Sequence, residues 1–291
     1  MSIASEIQAL NTNLTSAKNA VTAKGGTVGD TGLSGLADEI ATIPSGGGVG
    51  IPREVDANGK LTIPTSSTFV LDNSVKDIGL RAFQHAFSND TSLQTADLSS
   101  LKGLSGDYSM YYSFSGCTNL VSVDFRNLET ITGTGVLQYC FQNCTHLSSV
   151  NFSKLTSIVQ NGFTQVFRDC TLLNNIEFPV LTTLSRGSFQ YAFYNNNYQG
   201  SITIRFTSLT HIEDQNQVFQ SMLYGHNNSV IYFPALTSSS FGSGTQQFSG
   251  MLSAATNTTV HFPASIQTTI GSWPDVTNGF GGTNTTVLFD L

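Results

Sequence analysis

YSFSGCTNLVSVDFRNLETI (Tyr112–Ile131) aligns with YCFQNCTHLSSVNFSKLTSI (Tyr139–Ile158) and with QVFRDCTLLNNIEFPVLTTL (Gln165–Leu184). The shared frame is F-x-x-C-T-x-L-x-x-[VI]-x-F-x-x-L-x-x-[IL]. Outward from these copies, one anchor recurs at Phe87, Phe114, Phe141, Phe167 and Phe193, then softens to Met222 and Met251. A second recurs at Leu98, Phe125, Phe152, Phe178, Phe206, Phe233, Phe262 and Phe289, and the steps run from 26 to 29 residues. A fixed period of that size, built on Leu and Phe, is the signature of stacked coils whose cores are shared between neighbours.

Within each copy the [VI]-x-F element reads as a short strand with alternating sides. The pairs Ala96/Leu98, Val123/Phe125, Val150/Phe152, Ile176/Phe178, Ile204/Phe206, Ile231/Phe233, Val260/Phe262 and Val287/Phe289 point inward. The residues between them face solvent: Asp97, Asp124, Asn151, Glu177, Arg205, Tyr232, His261 and Leu288. Neighbouring strands lie about 4.8 Å apart, so this row is expected to form a continuous ladder across one face. Pro179, Pro234 and Pro263 follow the inner Phe, where a residue without an N–H ends a strand. The rest of each coil, rich in Gly, Ser and Asn with interspersed aromatics, reads as loop or short helix.

The chain of 291 residues carries only 11% charged residues and a net charge of −7, so it lacks the clustered cations that nucleic acid or anionic lipid requires. Hydrophobic residues make up 39%, including 20 Phe, which argues against disorder. No apolar run of about 18 residues is present to span a membrane. The start, MSIASEIQALN, lacks the basic and apolar regions of a cleaved secretory signal. Cys117, Cys144 and Cys170 share one repeat position, and Cys140 stands apart. They read as a ladder of small buried thiols, since no His or further Cys in the row completes a four-ligand metal site.

Before the repeats, Ile3, Ile7, Leu10, Leu14, Ala17 and Val21 form a heptad seam, and Leu33, Leu36, Ile40 and Ile43 a shorter one. One marginal helix with a single apolar stripe needs a partner, either its neighbouring helix or another chain. The expected organisation is a helical attachment or oligomerisation module (1–43), a Gly/Ser-rich joint (44–50), an N-terminal cap with a hairpin at Asn58-Gly59 (51–79), and the solenoid with its C-terminal cap (80–291). Trp273 falls in that C-terminal cap.

The frame carried by FSGCTNL (Phe114–Leu120) and its copies resembles the BspA-like leucine-rich-repeat family. That resemblance implies an α+β solenoid of about eight coils, one short strand each, behind a small helical module. BspA-like proteins are similar to adhesins, which implies binding of proteins or glycans. Separately, the K-G-G at Lys24–Gly26 and G-L-x-x-L-A-x-x-I-A-T-I-P at Gly32–Pro44 resemble the N-terminal module of structural proteins of gut bacteriophages. The two together imply a virion fibre or decoration subunit made in the host cytoplasm without a signal peptide. Its partners would be other virion proteins, a host-surface glycan or protein, and copies of itself, with a trimer expected from the fibre resemblance. The alternatives are a bacterial cell-surface adhesin and a purely structural virion spacer.

No GxSxG, HExxH, P-loop or strand-to-helix GxGxxG motif is present, and neither resemblance brings a cofactor. A binding role is therefore expected, without catalysis, metal or cofactor. Asp97, Asp124 and Glu177 are the only regular carboxylates, close enough on adjacent rungs for a glycosidase pair but on an open face. The candidate binding residues are the strand row from Asp97 to His261, and Tyr191, Tyr194 and Tyr198 in the aromatic, amide-rich YAFYNNNYQG (Tyr191–Gly200).

Overall fold

Alternating short apolar and polar residues turn each repeat into a strand, a corner and a return. The computed structural model describes residues 54–55, 61–62, 67–71, 73, 75–194, 201–213, 217–241 and 247–291. The chain divides into Met1–Pro64 and Thr65–Leu291. In the first unit, β1 (Glu54–Val55) and β2 (Leu61–Thr62) pair antiparallel, with Glu54 opposite Thr62. The two helical seams, including Ile3 to Val21, the glycine joint and the Asn58-Gly59 turn lie outside the described residues.

The second unit is a parallel solenoid with two sheets. The first face carries β3 (Thr68–Val70), β5 (Thr95–Asp97), β7 (Ser122–Asp124), β9 (Ser149–Asn151), β11 (Asn175–Glu177), β13 (Thr203–Arg205), β15 (Val230–Tyr232), β16 (Thr259–Phe262) and β17 (Thr286–Phe289). Register follows the repeat, so Val123 stands opposite Val150 and Ile204 opposite Ile231. A second strand in most coils adds β4 (Asp77–Ile78), β6 (Gly103–Leu104), β8 (Thr130–Ile131), β10 (Ser157–Ile158), β12 (Thr183–Leu184) and β14 (His211–Ile212). These form one uninterrupted six-stranded parallel sheet. Most coils thus hold two strands where the repeat frame shows only one. The ladder starts at β3, inside the stretch expected to be cap.

One expectation is overturned. The first face is not continuous: β3-β5-β7-β9 and β11-β13-β15-β16-β17 are separate sheets.

The third side is made of successive turns. Along it the amides alternate: Phe83 and His85 donate to Ser109 and Tyr111 of the next coil at 2.8 and 3.0 Å. Gln84 and Ala86 donate within their own coil, to Arg81 and Phe83 at 3.1 and 3.0 Å. Backbone polar groups are satisfied without a helix. The geometry requires a left-handed residue at every fourth position, as at Arg81, His85 and Asn89, and at Tyr108 and Tyr112 in the next coil. Coils approach so closely at Gly133 that an added Cβ would lie 2.4 Å from the Gly106 carbonyl oxygen.

Inside, side chains stack in rows. Phe125, Phe152, Phe178, Phe206, Phe233 and Phe262 form one, and Phe87, Phe114, Phe141, Phe167 and Phe193 another, all buried. Burying an aromatic ring of this kind contributes roughly 2–3 kcal/mol each, so these rows dominate stability. Every inward residue of the strand row is buried except Val150, Val287 and Phe289, which are half-buried. The last two belong to the terminal strand; Val150 belongs to the interruption. Two four-residue helices, α1 (Gln267–Ile270) and α2 (Pro274–Thr277), lie in the last coil. There Trp273 packs edge-on against Phe241 at 5.1 Å.

Candidate functional site

The outward strand row divides into two stretches that each satisfy themselves. Asp97, Asp124 and Asn151 end their strands, and each side-chain Oδ1 accepts the N–H two residues on. The donors are Ser99, Arg126 and Ser153 at 2.9, 2.9 and 3.0 Å. Such short side-chain loops turn the chain out of the strand. Arg126 also clasps Asp124 through its guanidinium. Hydrogen bonds from Ser99 hold the Asp97 carboxyl below its ordinary value. A general acid for glycoside cleavage needs the opposite direction.

Downstream, five residues join across β11 to β17. Glu177 faces Arg205 at 3.8 Å, and the Arg205 guanidinium lies 3.9 Å from the Tyr232 ring centroid. Tyr232 stacks on His261 at 4.5 Å and 9°, and His261 Nδ1 meets Asp290 at 2.9 Å. Both faces of Tyr232 are occupied, so it offers no ring platform to a ligand. Asp290 completes this chain although the strand row places Leu288 on the neighbouring rung.

Between the two stretches the sheet opens. From β3 to β15 the residue after each strand donates to the next coil, except after β9. Leu98 donates to Asp124 at 3.0 Å, Phe125 to Asn151 at 3.1 Å and Phe178 to Arg205 at 2.8 Å. The Phe152 N–H finds no such partner among the described residues, and neither do the Asn174 and Asn175 N–H groups that would meet the Ser148 carbonyl. A surface cleft of about 470 Å³ occupies the step, lined by Ser149, Asn151, Ser153, Asn175 and Glu177 over Val150 and Ile176. The ring row beneath stays stacked: Phe152 and Phe178 lie at 5.9 Å, close to the 5.8 Å of Phe262–Phe289 under the paired β16 and β17. Directly beneath runs a third buried core row: Phe83, Met110, Leu137, Phe163, Phe189, Phe219 and Phe248. The Phe163 ring meets Phe152 at 5.1 Å and Phe178 at 6.0 Å, tilted to both.

The tyrosines lie on the turn side and mostly spend their faces on one another. His85 stacks on Tyr112 at 5.2 Å and Tyr112 on Tyr139 at 4.6 Å, with Tyr111 edge-on to Tyr112 at 4.5 Å. Burial, then Tyr111 and Tyr139, push the Tyr112 phenol up to about 12. Of the sequence candidates, Tyr194 is sandwiched between Tyr224 at 4.8 Å and the Arg168 guanidinium at 4.9 Å. Tyr191 is half-buried and edge-on to Tyr194, and Tyr198 lies outside the described residues. This strip presents ring edges and hydroxyls, not the open faces that pack on sugars. Its signal was present in the Tyr108, Tyr111, Tyr112 and Tyr139 spacing.

The thiols are free and buried. Cys117, Cys144 and Cys170 donate to the Phe87, Phe114 and Phe141 carbonyls at 2.9, 3.0 and 3.0 Å. Burial raises all four, Cys117 to about 12, which keeps them protonated and unreactive. Further along, His226 Nε2 donates in the same manner to the Phe193 carbonyl at 2.5 Å. Burial pulls its pKa down to about 4, so it is neutral. Among the described residues no three metal-binding side chains converge.

A profile for the BspA type leucine-rich repeat region matches residues 64–191 and 138–268, in six copies, and the chain belongs to that family. Among solved structures it is similar to the Treponema pallidum leucine-rich-repeat protein TpLRR, at 17% identity over 58% of this chain and 84% of that one, with a TM-score of 0.29. A leucine-rich-repeat protein from Bacteroides ovatus matches at 14% identity over 76% and 82%, with a TM-score of 0.19. No curated protein matches.

Proposed function

We propose that the chain is a non-enzymatic recognition protein of the adhesin type, which uses the first strand face to hold a glycan or protein of a cell surface. Membership of the BspA-type family supports a binding scaffold. The observation that favours this face is the step between β9 and β11, where backbone donors and acceptors are left for an outside partner. The labelled full chain should bind intact cells saturably, and prior treatment of the cells with periodate or protease distinguishes glycan from protein. Binding no greater than that of an unrelated protein of equal charge would overturn the reading.

A second reading places the protein on a bacteriophage particle, on the strength of the Lys24–Gly26 and Gly32–Pro44 patterns. Here the seam from Ile3 to Val21 joins the chain to virion proteins or to two further copies, and the solenoid contacts the host surface. Detection in purified particles, and loss of incorporation and of oligomerisation on deleting residues 1–43, would support it. An unchanged oligomeric state together with continued incorporation would contradict it.

A further inference from the structure

We infer that the cleft between β9 and β11 is a saccharide subsite that takes one or two neutral sugar rings. The inference rests on the strand face being the recognition surface. Three observations select the ligand class. First, the opening is too narrow for an added strand: insertion needs roughly 9.6 Å, two strand spacings, while the Phe152 and Phe178 rings remain at 5.9 Å. Second, the lining contains one carboxylate, Glu177, and no Lys, Arg or His, so it has no counter-charge for phosphate, sulfate or nucleic acid. Third, the available groups are mixed donors and acceptors above an apolar floor. The amides of Asn151 and Asn175, the Ser149 hydroxyl, the Phe152 N–H and the Ser148 carbonyl face a polyol with both polarities. Val150, half-buried at this step alone among internal coils, offers a surface for ring C–H groups. A cleft of about 470 Å³ falls within the range of small-ligand sites.

The test uses the full chain with methyl glycosides of glucose, galactose, mannose and N-acetylglucosamine, read by saturation-transfer NMR and calorimetry. At least one glycoside should bind. Asn151→Ala and Glu177→Gln should each weaken it about tenfold, the loss of one hydrogen bond to a polar or charged group. Glu129→Gln, exposed beside the second sheet, should leave affinity unchanged, and melting curves should show all three variants folded. No saturation transfer from any glycoside, or equal affinity in the cleft variants, would overturn the inference. Cell binding without saccharide uptake would sink this inference and spare the adhesin reading. Saccharide uptake abolished by the cleft variants with cell binding intact would uphold the subsite and remove that reading of the face.

Discussion

The two sheets of the solenoid are built by the same coils, yet one is continuous from β4 to β14 and the other parts between β9 and β11. The second sheet pairs Ser157 with Thr183 and Ile158 with Leu184 at the very level where the first has no pairing. Stacking therefore does not fail at this step as a whole. One side closes and the other opens, which points to a local cause on the open side. One change falls there alone: the step from Phe152 to Phe178 shortens to 26 residues, where every other step of the row is 27 to 29. The third-row ring is not the cause, since Phe189 bridges Phe178 and Phe206 in the same way as Phe163 bridges Phe152 and Phe178, and β11 and β13 stay paired above it.

The largest expected effect comes from Phe152→Ala, which removes the buried ring shared by both sides of the opening. It should cost about 3–5 kcal/mol through lost burial and the cavity left behind. An unchanged melting temperature would show that the ring rows do not hold the two sheets together across the opening.

Acid should separate the regular coils from the later ones. His226 is neutral in the folded protein, with its pKa lowered to about 4 from 6.5 by burial. A depressed pKa means that stability is complete above pH 6.5 and is lost as pH falls toward about 4. The loss amounts to about 3 kcal/mol by linkage. His226→Gln, which keeps a donor but cannot titrate, should flatten that part of the stability–pH curve. An identical acid slope in the variant would assign it to other groups. Cys144→Ser, in the regular coils, should cost about 1–2 kcal/mol by burying a more strongly hydrated group at the same carbonyl. A chelator should leave melting unchanged, and unfolding on chelation would contradict the thiol ladder.

Much of the fold was legible because Phe, Leu and Cys recur at fixed steps and a strand alternates sides. The second sheet was not, since strands of two residues such as Thr130–Ile131 show no alternation. Nor was the left-handed turn side, where Tyr112 and Tyr139 take backbone positions that composition does not forecast. The outward row from Asp97 to His261 was legible as a row. What its members touch was not, because Arg126, Asp290 and Ser99 lie outside the repeat frame. His226 continues the hydrogen bond of the cysteine row with a different residue one place out of step, which a motif cannot register.

Amide hydrogen exchange along the strand face tests the central claim most directly. Phe152, Asn174 and Asn175 should exchange much faster than their counterparts Phe125, Ser148 and Ser149, which donate to the neighbouring coil, and a bound glycoside should slow the first three alone. Equal protection at all six amides in the free protein would mean that the ladder is closed and the face carries no opening.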